Sequence, residues 1–137
     1  MTTFSAFRGA LLLAAASFAL VAQPSKAGPF DDGGTAYAKG DYNSALQTLR
    51  PLAEAGNANA QMILGFMYHD GQGVPRSNLH AYIWFSLAMS SYDAASQDFQ
   101  DAGQARDLTA KLMTSADIKL ADEMAEQCQA QHYKNCN

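Results

Sequence analysis

The chain has 137 residues, enough for one domain, with 9 basic against 13 acidic side chains and a net charge of −4. An acidic chain of this kind is poorly suited to nucleic acid or to an anionic membrane surface, because phosphate repels it. Composition therefore points away from both partner classes.

Residues 1–27, "MTTFSAFRGALLLAAASFALVAQPSKA", have the make-up of a secretory signal peptide. Arg8 precedes an apolar run over residues 10–22, and Ser25 and Ala27 supply small residues at −3 and −1 of a cut after Ala27. The run is shorter than the roughly 20 residues that span a bilayer. Cleavage near Ala27 leaves residues 28–137, with 7 basic against 13 acidic residues and no inserted segment. That implies a periplasmic or secreted protein of a bacterium.

From there on the chain reads as helix, without β-branched alternation or an Asn-Gly hairpin. Breakers divide it into about six segments. The first, "GGTAYAK", ends at Gly40, and Asp41 caps the second, "DYNSALQTLRPLAEAG", in which Pro51 predicts a kink. Asn57 caps "NANAQMILGFMYHDG", which closes at Gly71, a position for left-handed backbone. Ser77 starts "SNLHAYIWFSLAMSSY", and "DAASQDFQDAGQARDLTAKLM" follows from Asp93. Thr114, with Asp117 three residues on, opens "TSADIKLADEMAEQCQAQ" as an imperfect capping box.

The segments repeat. Ala45, Leu49 and Leu52 recur 36 residues later as Ala81, Phe85 and Ala88, while Gly34 and Tyr37 recur 31 later as Gly65 and Tyr68. The difference is a connecting loop five residues longer in the second pair, the glycine-proline stretch from Gly71 through Gly73 to Pro75. A helix–turn–helix period near 36 is the signature of an α-solenoid. Within it, Gly65 costs about 1 kcal/mol of helix propensity. That cost is tolerable where the missing side chain admits the paired helix, with Leu64, Gly65 and Tyr68 facing Ala81, Phe85 and Ala88.

The stretch "AQMILGFMYHDGQGVPRSNLHAYIWFSLA" resembles a Sel-one-like repeat, the longer-looped relative of the tetratricopeptide repeat. Ala60, Leu64, Gly65, Tyr68, Gly71, Gly73, Val74, Ala81, Trp84 and Ala88 carry the likeness. It departs from the repeat at Ser77 and His80, where two acids are usual, so the helix cap survives without its reciprocal bond. The resemblance implies an all-α, short right-handed α-solenoid of antiparallel helix pairs. Repeat 1 would cover about 33–56, repeat 2 about 57–91, and a C-terminal capping helix pair about 93–132. Repeat packing would fall to Leu64, Gly65, Tyr68, Gly71, Gly73, Ala81, Trp84, Phe85 and Ala88. A groove on the first helix of the second pair would present Asn59, Met62, Phe66, His69 and Asp70 to a protein or peptide. The alternative for Met62 and Phe66 is burial beneath the third helix pair.

Chemistry-bearing motifs are missing: the chain has no H-E-x-x-H, G-x-S-x-G, phosphate loop, G-x-G-x-x-G or S-x-x-K. His69, His80 and His132 fall on different segments, and Asp31-Asp32 and Asp122-Glu123 read as solvated charge, so no metal or cofactor is expected. Cys128 and Cys136 read as a disulfide in an exported protein, since the C-x-x-C spacing of a redox pair is absent. These readings lead to an exported, non-enzymatic interaction scaffold. A hydrolase acting on cell wall or β-lactams, by analogy with exported relatives of the repeat class, is the first alternative. A self-assembling structural protein is the second, and homo-oligomerisation stays open.

Overall fold

Five of the six described helices begin where a side chain satisfies an open backbone donor of the first turn. The computed structural model describes residues 28–134 and Cys136, so the expected leader, residues 1–27, lies outside the described residues. Six α-helices and no strands make up the described chain: α1 Pro29–Ala38, α2 Tyr42–Glu54, α3 Ala58–Asp70, α4 Asn78–Ser91, α5 Gln97–Ala110 and α6 Ser115–Ala130. The protein is all-α.

The caps are those the residue types favour. Asp41, Asn57, Ser77, Ser96 and Thr114 each accept a backbone N–H from three residues on. Gly71 ends α3 in left-handed backbone, φ 71°, which glycine adopts without steric cost. At α1 the Asp31 carboxylate accepts the Gly28 N–H at 2.9 Å and Pro29 takes the first helical position. Asp31 is therefore a cap as well as a surface charge. Helix α1 also starts four residues before the expected start of the first repeat at 33, and α5 starts at Gln97, not Asp93. Asp93 instead closes a turn, its carbonyl accepting the Ser96 hydroxyl and its carboxylate the Ala95 N–H. Helix α2 continues through Pro51 to Glu54.

Consecutive helices pack as α1 on α2, α2 on α3 and α3 on α4. Helix α4 is then flanked by both α5 and α6. Those last two helices, in the region expected as a capping pair over about 93–132, each rest mainly on α4 rather than on each other. Helix α4 is apolar almost all round, and Ala81, Tyr82, Ile83, Trp84, Phe85, Leu87 and Ala88 are all buried. A helix without a polar face is stable only when enclosed. Its neighbours approach it through small residues: Gly65 on α3, Ala102 on α5, and Ala121 and Ala125 on α6.

The packed glycines correct the register of the repeat. A Cβ on Gly65 would lie 2.4 Å from the Phe85 ring, and one on Gly33 would lie 2.7 Å from Leu49. One on Gly34 would meet nothing within 4 Å. Gly33, not Gly34, is thus the counterpart of Gly65, and its partner Leu49 is the counterpart of Phe85.

Polar ties fix the stack. Gln61 is wholly buried, donating to the Ala53 carbonyl at 3.0 Å and accepting the Ser91 hydroxyl at 3.0 Å. This one amide links the ends of α2 and α4 through α3. Tyr82 donates to Asp122 at 3.0 Å, which fastens α6 to α4, while Arg106 of α5 lies over the Tyr82 ring. Arg50 of α2 donates to the Tyr68 hydroxyl at 3.0 Å, and the Tyr68 ring stacks on His80. His80 also supports the cap of α4: its Nδ1 sits 2.8 Å from Ser77 Oγ, and the Ser77 N–H donates to the Tyr68 carbonyl.

Burial, and then the Arg50 charge, hold the His80 imidazole below its ordinary value. A depressed base is neutral in the folded state where the unfolded chain would already be protonated. Its contribution is complete above the unfolded value of about 6.5 and is lost as pH falls below it. Thermal stability is accordingly expected to decline from about pH 6.5 downward, and His80→Gln should flatten that slope in calorimetric scans across pH.

The chain ends in a hook. Beyond α6 it turns through His132 and Tyr133, with φ of 53° and 62°, and Cys136 closes back on Cys128 with Cα atoms 5.2 Å apart. The hook carries Tyr133 to the α2–α3 turn, where a Cβ on Gly56 would lie 3.1 Å from its ring. The Tyr133 N–H donates to the Cys128 carbonyl at 2.8 Å.

Candidate functional site: an acidic furrow along helix α3

Helix α3 buries Ala60, Gln61, Leu64, Gly65, Met67 and Tyr68 and leaves another face open. On that face lie Asn59, Met62, Phe66 and His69, spaced three and four apart. Helix α5 stands beside them as the opposite wall. The cleft between holds about 450 Å³ and is lined by Met62, Phe66 and His69 of α3, Ala105, Leu108 and Thr109 of α5, and Phe85 of α4 at its floor.

Phe66 is 36% exposed and Leu108 52% exposed, whereas Phe85 is buried. The Phe66 ring meets Phe85 edge-on with centroids 5.1 Å apart, a favourable aromatic geometry that fixes the position of the exposed ring. Met62 is half-buried. The third helical unit therefore flanks Met62 and Phe66 without burying them.

A second depression of about 250 Å³ continues the cleft along α3 towards α1. It is lined by Phe30, Asn59, Met62, Ile63, Tyr92, Asp98 and Asp101, and it shares Met62 and Asp101 with the first. Tyr92 donates to Asn59 at 2.6 Å and so closes its base. Burial, then Asp98 and Asp101, push the Tyr92 hydroxyl up from its usual range, as a negative environment must. Asp101 accepts the Gln97 side-chain amide at 2.8 Å.

Of the five groove residues expected from the sequence, Met62, Phe66 and His69 line the cleft and Asn59 its continuation. Asp70 does not line either part. It pairs with His69 Nδ1 at 2.8 Å and lies towards Tyr37, whose hydroxyl is raised by burial, then by Asp70 and then by Tyr42. Leu108, Asp101, Asp98 and Tyr92 were not expected, because they belong to α5 and its approach, where the sequence carries no repeat register.

Among the described residues no three His, Cys, Asp or Glu side chains gather as a metal-ligand set, and no helix is long and apolar enough to cross a membrane. No family model, curated protein or solved structure matches the chain.

Proposed function

We propose that this protein is an exported, non-enzymatic interaction scaffold of the Sel-one-like kind, holding a peptide or protein segment in the furrow between α3 and α5. One observation carries the reading: Phe66 and Leu108 stay exposed on the two walls of an apolar cleft whose floor is the buried Phe85 ring. Side chains of this type, kept accessible on rigid helices, are where binding energy concentrates. Helical order established before binding lowers the entropic cost of association. The cysteine pair at disulfide distance suits an oxidising compartment and supports the exported location.

Phe66→Ala should weaken partner binding by about 2 kcal/mol, roughly thirtyfold, with far-UV circular dichroism unchanged. Capture from the exporting cell by the protein and by the variant provides the comparison. A variant that binds as well as the parent, or a protein that turns over a chromogenic β-lactam, would overturn the reading.

A further inference from the structure

We infer that the occupant of the furrow is an extended segment of a partner that pairs one large apolar side chain with a lysine or arginine about three residues away. The inference rests on the scaffold reading above and names the chemistry of the partner. The two depressions share Met62 and Asp101 and so lie end to end along α3, the two parts of one channel for an extended occupant. From Asn59 to His69 the helix advances about 15 Å, enough for four or five residues of extended chain.

The channel differs between its ends. The deeper end, over Phe85, is apolar and takes the body of an aromatic or long aliphatic side chain. The shallower end carries two carboxylates, Asp98 and Asp101, and no lysine or arginine lines either part. The other charges facing the channel do not reverse its sign. His69 is hydrogen-bonded to Asp70. Arg106 and Lys111 line a separate depression that adjoins the cleft at Asp101, Gln104 and Leu108. There Arg106 is bonded to Asp107 at 2.8 Å and set over Tyr82, which leaves Lys111 as the one cation on that side against Asp98 and Asp101. From Leu108 back to Asp101 is about 10 Å along α5, or three residues of an extended peptide in the polyproline II form, in which side chains three apart share a face. A cation at that spacing reaches both carboxylates while its neighbour fills the apolar end. A partner carrying acidic residues there is repelled.

The test uses the protein with its disulfide intact and fluorescent pentapeptides with phenylalanine at position one and lysine, glutamine or glutamate at position four. The lysine peptide should bind best and the glutamate peptide worst. Asp98→Asn with Asp101→Asn, both exposed, should cut lysine-peptide affinity roughly three- to tenfold and narrow its advantage over the glutamine peptide. Raising salt from about 0.05 to 0.5 M should narrow the same gap, since exposed charges are screened. Equal affinities, or a preference for glutamate, would overturn the basic-partner inference and leave the groove standing. Failure of every peptide to bind would overturn the groove reading itself. A dimer in light scattering that dissociates on Phe66→Arg would assign the furrow to a second copy of the chain and overturn both.

Discussion

Replacing Phe85 with alanine is expected to remove about 3–5 kcal/mol of stability, a large share of the total for a domain of this size. The ring is 1% exposed and lies where α3 passes α4, with Gly65 beneath it and Phe66 against its edge. Thermal unfolding should fall by roughly 15 °C, and the floor of the furrow goes with it. The converse substitution tests the same fit from the other side. Gly65→Ala would add about 1 kcal/mol of helix propensity at an exposed site. Here the new Cβ lies 2.4 Å from a buried ring with little room to move, so net destabilisation of about 1–2 kcal/mol is expected. Phe85→Leu should relieve part of that loss, and a double-mutant cycle in urea would read the coupling. Additive effects would show that the glycine and the ring do not interlock.

Opening the Cys128–Cys136 bond should cost about 2–3 kcal/mol, from the entropy of closing so short a loop in the unfolded chain. Two residues beyond α6 hold left-handed backbone without being glycine, an arrangement that costs each about 1–2 kcal/mol and needs outside support. Once the bond is open that support weakens, and Tyr133 should leave the Gly56 turn. Serine at both cysteines should therefore lower the denaturation midpoint and speed amide exchange most at 131–134, with the helical content retained. An unchanged midpoint would make the bond incidental to the fold.

The helices were legible because their signals are local. Asp41, Asn57, Ser77 and Thr114 cap where the sequence placed caps, and Gly71 terminates α3 as expected. Gly65 against Phe85 was readable too, since a helical glycine opposite an aromatic at repeat spacing has few other uses. The first pair was harder. Two adjacent glycines, 33 and 34, fit the pattern about equally, and only the position of Leu49 decides between them. The furrow was half visible: its α3 wall follows from helical periodicity, but its α5 wall does not. Helix α5 packs through Ala102 and Thr109, small residues that leave little apolar signal, while its large Leu108 points outward. The acidic end depends on Asp98 and Asp101 meeting Phe30 and Asn59, which no single segment encodes.

In an ordinary stack of helical hairpins each unit touches only its neighbours, so the ends can melt while the middle holds. Tyr133 breaks that rule by resting on the turn at Gly56, so the end of the chain braces the exit of its first hairpin. Opening of α6, or of the turn between α2 and α3, must break this brace along with the local contacts. The fold should consequently come apart in one concerted step while the hook is closed, and in stages once it is released.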